Sequence, residues 1–198
     1  MPIIGLTGGI ACGKSTVAQM LRSFGAAIID ADAISRSHTA PGGRALPLIR
    51  EAFGDRVFAP DGSLDRAALS AVVFSNEASR RRLNAITHPL IQQEMEEQMA
   101  QCRKDGVKVV VLDVPLLFEA GMERMADVTA CVFCPEEVQI SRMALRNGYT
   151  REEALSRIRS QWPVSQKCAL SDVVIDTDKP LDELERAVRA LYDSWMAA

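Results

Sequence analysis

Three observations predict an α/β fold built on a parallel, doubly wound sheet. Short apolar, β-branched runs recur at Ile3 to Thr7, Ala26 to Ile29, Val107 to Asp113, Asp127 to Phe133 and Val173 to Ile175. Patterns of helical period separate them. The first run enters a glycine-rich turn that opens directly into a helix. In such sheets ligands lie at the carboxyl ends of the strands.

Ile3 to Thr7 ends in glycines, and Val17, Met20, Leu21 and Phe24 mark one face of the helix opened by Lys14-Ser15-Thr16. Ala26 to Ile29 delivers Asp30-Ala31-Asp32 at its carboxyl end. The pattern then changes. Helical segments at Arg44 to Phe53, Asp65 to Phe74, Asn76 to Ile86 and Pro89 to Arg103 are separated by Pro41-Gly42-Gly43 and Pro60-Asp61-Gly62 turns, and read as a helical insertion over about residues 33–105. Val107 to Asp113 is the strongest strand, nearly all apolar as a central strand covered on both faces must be. Asp127 to Phe133 follows, then Pro135-Glu136-Glu137 begins a helix with acids where its dipole favours them. Helices continue to about Gln161, a short strand ends at Ile175, and Leu184, Val188, Leu191 and Trp195 stripe the closing helix. The core is thus expected at about 1–32, 106–138 and 162–198 of one chain, with a helix-turn-helix lid at about 139–161.

The 198 residues, 47% apolar and 25% charged, suit a globular domain rather than a disordered chain. Folding at this size removes roughly 70% of the unfolded surface, so a core forms without staples. Five scattered cysteines, Cys12, Cys102, Cys131, Cys134 and Cys168, read as reduced thiols of a cytoplasmic protein. A net charge of -3 gives no general attraction to nucleic acid or an anionic membrane, and neither is an expected partner. Val107 to Phe118, interrupted by Asp113 and Pro115, falls short of the roughly 20 apolar residues that cross a bilayer.

Gly8-Gly9-Ile10-Ala11-Cys12-Gly13-Lys14-Ser15 satisfies G-x-x-x-x-G-K-[ST] between a strand and a helix, where that motif has to stand. Glycines let the backbone curl so that N–H groups point inward, and the helix N-terminus adds partial positive charge for phosphate oxygens. Lys14 is expected to bridge the β and γ phosphates of ATP, Ser15 to offer its hydroxyl to Mg²⁺, and Thr16 to reach the α phosphate. A chance match in a chain of ordinary glycine content is on the order of one in a hundred, and rarer between strand and helix. No G-x-G-x-x-G occurs, which disfavours a dinucleotide dehydrogenase.

Asp113, at the end of its strand, stands where a magnesium-anchoring carboxylate belongs; the competing reading is a cap before Pro115. Of Asp30 and Asp32, one can accept a proton from a substrate hydroxyl, and one is expected to serve as an Asx turn or N-cap. Gln139, Arg142 and Arg146 share a helical face before the Asn147-Gly148-Tyr149-Thr150 turn. Arginines on a closing lid neutralise charge on a transferring phosphoryl group; a solvated helix face is the alternative.

Taken together these residues resemble the dephospho-coenzyme A kinase family, over nearly the whole chain. Gly5-Leu6-Thr7-Gly8-Gly9-Ile10 with Gly13-Lys14-Ser15-Thr16 is similar to the family's opening, Asp30-Ala31-Asp32 to its acidic strand end, and Pro41-Gly42 to its next turn. Phe53-Gly54, Asp61-Gly62, Leu64-Asp65-Arg66 and Leu83-Asn84 leading to His88-Pro89-Leu90-Ile91 resemble its substrate-binding insertion. Asp113-Val114-Pro115-Leu116-Leu117-Phe118-Glu119 and the Gln139, Arg142, Arg146 set are similar to its later motifs. The resemblance implies a three-layer P-loop NTPase fold with a helical substrate-binding insertion and lid. It implies transfer of the ATP γ-phosphoryl group to the ribose 3'-hydroxyl of 3'-dephospho-coenzyme A, with Asp32 as base and Lys14, Arg142 and Arg146 assisting. It makes Thr7, Asp32, Arg66, His88, Pro89, Leu116, Leu117 and Glu119 candidates for the acceptor pocket, and Ser15 and Asp113 for Mg²⁺. Ala11-Cys12 stands where the family usually has Gly-Ser, a change expected to matter little because the loop works through backbone N–H groups. It also makes Cys12 a point where oxidation would reach ATP binding. Asp176-Thr177-Asp178 replaces a more usual Asn-Gly ending near the adenine.

The bare motif also admits a kinase of another small metabolite, or a nucleotide-dependent switch, although no guanine-reading Asn-Lys-x-Asp is present. Cys131-x-x-Cys134 lacks a second pair and reads as core thiols on a strand. Arg80-Arg81-Arg82 points in three directions on a helix and reads as solvated surface.

Overall fold

The computed structural model describes residues 1–74 and 76–197. The chain runs β1 (Ile3–Gly8), α1 (Lys14–Ser23), β2 (Ala27–Asp30), α2 (Ala31–His38), α3 (Leu46–Phe53), α4 (Arg66–Phe74), α5 (Glu77–Lys104) and β3 (Val110–Asp113). It continues with β4 (Val128–Phe133), α6 (Glu136–Asn147), α7 (Arg151–Arg159), α8 (Val164–Leu170), β5 (Val173–Asp176) and α9 (Leu181–Ala197).

The strands form one sheet in the order β2-β3-β1-β4-β5. β1 is central, parallel to β3 on one side and β4 on the other, and Leu6 is registered with Asp113 and Gly8 with Val132. Two neighbouring strands therefore deliver the glycine-rich loop and Asp113 at the same end of the sheet. β1 and β3 are buried along their whole length because helices cover both faces, which is why neither alternates. On one face Ile4, Leu6, Val111, Val132 and Ile175 pack with Val17 and Leu21 of α1 and Leu184, Val188, Tyr192 and Trp195 of α9. Each such fully buried aliphatic side chain contributes about 1.5–3 kcal/mol.

The chain divides into two units, Met1–Ile29 with Met99–Ala198, and Asp30–Gln98. The second has its own core of Ala45, Ile49, Phe53, Val57 and Leu69, and its Pro60-Asp61-Gly62 turn is closed by a bridge between Phe58 and Leu64. In the first, α6 and α7 form a hairpin with a small core of Ile140, Met143 and Ala154, against which Ile10 and Ala11 pack. A Thr150–Glu153 capping box starts α7, and Arg151 grips Glu137 through two bonds of 2.6 and 2.5 Å.

Three local expectations are corrected. The helical break before Pro89 is absent: α5 is one 28-residue helix with Pro89 inside it. The proline removes one backbone hydrogen bond and its ring crowds the carbonyl one turn back, a local cost that the rest of this long helix outweighs. The third strand starts at Val110 rather than Val107, because Gly106 turns at φ 72° and the Val107 N–H closes that turn onto the Cys102 carbonyl. α8, after Pro163, is a separate helix that periodicity did not resolve. No described helix is long and apolar enough to cross a membrane.

Candidate active site

The loop between β1 and α1 is shaped by close approach. A Cβ on Gly8 would lie 2.6 Å from the Val132 carbonyl oxygen, and one on Gly9 would lie 2.7 Å from Gln139 Nε2 and 2.9 Å from Cys12 Sγ. Gly13 takes φ 87°, as the turn into α1 requires, and Ala11 takes φ 58°. Among the described residues Ala11 is the only non-glycine in the left-handed region. The exchange of glycine for alanine is therefore not neutral as expected: the Ala11 methyl is held in a conformation that favours glycine.

Three consecutive carbonyls of this loop are held from outside. Gln139 Nε2 donates to Ile10 at 2.6 Å, Arg142 Nη1 to Ala11 at 3.3 Å, and Thr177 Oγ1 to Cys12 at 2.6 Å. Arg142 also donates to Thr177 Oγ1 at 3.0 Å and to the Thr177 carbonyl at 2.8 Å. Gln139 is 2% exposed, whereas Arg146 is exposed and donates to Asn147 Oδ1. The shared helical face thus splits into two residues that clasp the loop and one that faces solvent. Lys14 Nζ pairs with Asp113 Oδ1, joining the head of α1 to the end of β3. Ser15 is exposed beside it. The Ser15 hydroxyl and the Asp113 carboxylate are oxygen donors, the set that Mg²⁺ takes in ones and twos together with phosphate oxygens.

Thr7 is fully buried and its hydroxyl donates to the Pro115 carbonyl at 3.0 Å. Leu117 is fully buried, whereas Leu116 is 44% exposed. Glu119 pairs through Oε1 with Lys167 at 2.8 Å. Cys12 is buried against Cys134; the hydrogen bond from that thiol holds the Cys12 thiol below its usual range, while the same bond and burial push Cys134 up. Cys131 and Cys168 sulfurs stand 3.6 Å apart as thiols, and burial raises both.

The family model described as CoaE, dephospho-CoA kinase, matches residues 2–183. The chain belongs to the dephospho-CoA kinase family. A dephospho-CoA kinase of Carboxydothermus hydrogenoformans is 43% identical over 195 residues, 98% of this chain and 95% of that protein. The solved structure of TT1252 from Thermus thermophilus superposes with a TM-score of 0.84 at 35% identity, covering 98% of this chain and 97% of that one. The dephospho-CoA kinase structure from Campylobacter jejuni shares the fold, with a TM-score of 0.65 at 24% identity over 100% of this chain and 98% of its own.

The remaining candidates of this dephospho-CoA kinase family member lie in the second unit. Asp30 is the N-cap of α2, its Oδ1 accepting from the Ala33 N–H at 2.9 Å, and Arg36 lies 3.8 Å from its Oδ2. Asp32 is exposed in the first turn of α2 and has no partner among the described residues. Arg66 opens α4 and donates to Thr39 Oγ1 at 3.0 Å. His88 is half-buried in α5, its pKa lowered by burial, and Pro89 is exposed. Sequence reasoning did not pair Lys167 with Glu119 or Thr177 with Arg142, since both contacts join residues far apart in the chain.

Proposed function

We propose that the chain transfers the γ-phosphoryl group of ATP to the 3'-hydroxyl of 3'-dephospho-coenzyme A, with Mg²⁺ held by Ser15 and Asp113 and Asp32 as general base. The observation that carries the reading is the outward clasp on three loop carbonyls in a chain of this kinase family. With those carbonyls held from outside, the N-terminus of α1 and the loop N–H groups other than that of Cys12, which donates to the Gly9 carbonyl at 3.1 Å, are left for phosphate oxygens. Lys14, joined to Asp113, exchanges that carboxylate for the β and γ phosphates. Bound Mg²⁺ would neutralise charge on the phosphates.

Asp32 takes the 3'-hydroxyl proton as the new oxygen–phosphorus bond forms, and the bond from the γ phosphorus to its bridging oxygen breaks to release ADP. Its exposure and its lack of a partner among the described residues support that role, since Asp30 is committed to capping. Arg66, His88 and Pro89 belong to the acceptor-binding insertion at about 33–105, and Arg146, free of the clasp, is the lid residue left to meet developing phosphoryl charge. Thr7 and Leu117 act from the interior by shaping the loop that Leu116 exposes. The five thiols support a reducing compartment, the cytoplasm.

ADP release from ATP and Mg²⁺, measured with and without 3'-dephospho-coenzyme A and with the product weighed by mass spectrometry, tests the reading. Acceptor-dependent turnover with a gain of one phosphoryl group is expected. ATP binding with an unchanged acceptor would overturn the acceptor and leave the nucleotide site standing.

A further inference from the structure

Lys167 heads the fully buried side chains by size among the described residues. An enclosed ammonium is stable only where its charge is answered. Here Nζ donates to the Pro115 carbonyl at 2.8 Å and pairs with Glu119 Oε1 at 2.8 Å. Both partners lie in the loop that leaves Asp113 at the end of β3. The same Pro115 carbonyl accepts from Thr7, the residue before Gly8. The same Glu119 oxygen accepts from the Trp162 N–H at 3.4 Å, just beyond the α6–α7 hairpin. α8, which carries Lys167, also backs the phosphate loop: a Cβ on Gly9 would lie 3.2 Å from Val164 Cβ. Among the described residues Glu119 Oε2 is buried with no hydrogen-bond partner, and Lys167 is the cation paired with this carboxylate.

We infer that Lys167 is a positioning residue for phosphoryl transfer. One ammonium fixes the spacing between the wall behind Gly9 and the 114–119 loop, and through Glu119 it fastens the chain leaving the lid. The inference rests on the reaction assigned above. None of the contacts that shape the nucleotide side, Lys14 with Asp113, Gln139 with Ile10 or Arg142 with Ala11, includes Lys167. Its loss therefore acts on the alignment of the reacting groups, where a displacement of about 1 Å can cost on the order of 10²-fold in rate.

The test is steady-state kinetics of the full chain with ATP, Mg²⁺ and 3'-dephospho-coenzyme A, together with ATP affinity and unfolding temperature, for the parent, K167M, E119Q and K167M/E119Q. The single K167M strands a buried carboxylate, whereas the double variant removes both charges and keeps their bulk. The double variant is expected to fold, to keep KM for ATP within about threefold and to lose at least about tenfold in kcat. A parent-like kcat per folded molecule overturns the inference, as does a loss of ATP affinity that accounts for the whole loss of activity. If the double variant does not fold, E119Q decides, since its amide keeps an oxygen for Lys167 and Trp162. A kcat about threefold or more below the parent, at constant KM for both ATP and 3'-dephospho-coenzyme A, supports the role, whereas an unchanged kcat, or a loss carried by a raised KM for the acceptor, refutes it. A parent that releases no ADP in response to the acceptor overturns the assigned reaction and this inference together.

Discussion

Gly9→Ala tests the packing that shapes the phosphate loop. The added methyl would stand 2.7 Å from Gln139 Nε2, 2.9 Å from Cys12 Sγ and 3.2 Å from Val164 Cβ. The nearest atom ends a long side chain, but that amide is almost fully buried and committed to the Ile10 carbonyl at 2.6 Å. Relieving the overlap costs about 1–3 kcal/mol of overpacking. Displacing the amide adds about 1 kcal/mol for a buried carbonyl left unsatisfied. A total of about 2–4 kcal/mol lowers Tm by about 5–15 °C in a chain of this length. Thermal unfolding of the parent, Gly9→Ala, Gln139→Ala and the double variant reads the cycle. Removing the amide vacates space for the methyl, so the double variant should lose less than the sum of the singles by about 1 kcal/mol. An additive cycle, or a Gly9→Ala protein that melts with the parent, would falsify the steric account.

Asp32→Asn should leave ATP affinity unchanged and lower kcat by about 10²–10⁴, while Asp30→Asn, which keeps a capping oxygen, should change kcat little; direct ATP titration and ADP release separate the two. Ala11→Gly should raise stability by about 0.5–1 kcal/mol, because relief at φ 58° exceeds the extra freedom glycine gives the unfolded chain, as urea unfolding would read. Arg142→Ala should cost about 1–3 kcal/mol by leaving the Ala11 and Thr177 acceptors short of a donor, whereas Arg146→Ala should keep the parental Tm and lower turnover, measured by calorimetry and kinetics. Burial lowers the His88 pKa from its ordinary 6.5, so the unfolded chain takes up that proton first as pH falls. The contribution is present above the unfolded value and is lost between it and the folded one; His88→Gln should flatten the acid side of a Tm–pH curve.

The loop, the strand ends and the order of elements were legible because each is written locally: glycines beside Lys14-Ser15, apolar runs ending in Asp30 and Asp113. Local chemistry also expected one of Asp30 and Asp32 to serve as a cap, and it is Asp30 that caps α2. What escaped is non-local or marginal in energy. The Lys167–Pro115 bond spans 52 residues and has no spacing rule. Arg142 shares a helical face with Arg146, but the Thr177 that claims it arrives from the end of β5. Pro89 carries a helix-breaking signal that α5 overrides.

The outward clasp on Ile10, Ala11 and Cys12 has a thermodynamic consequence. Because peptide groups are planar, fixing three successive carbonyls fixes the direction of the N–H groups that follow them. The loop is thus ordered during folding, and the conformational entropy of shaping it is absent from the free energy of nucleotide binding. Nucleotide association should then show a small heat-capacity change. Loosening the clasp would weaken affinity mainly through entropy, leaving the phosphate contacts themselves unchanged.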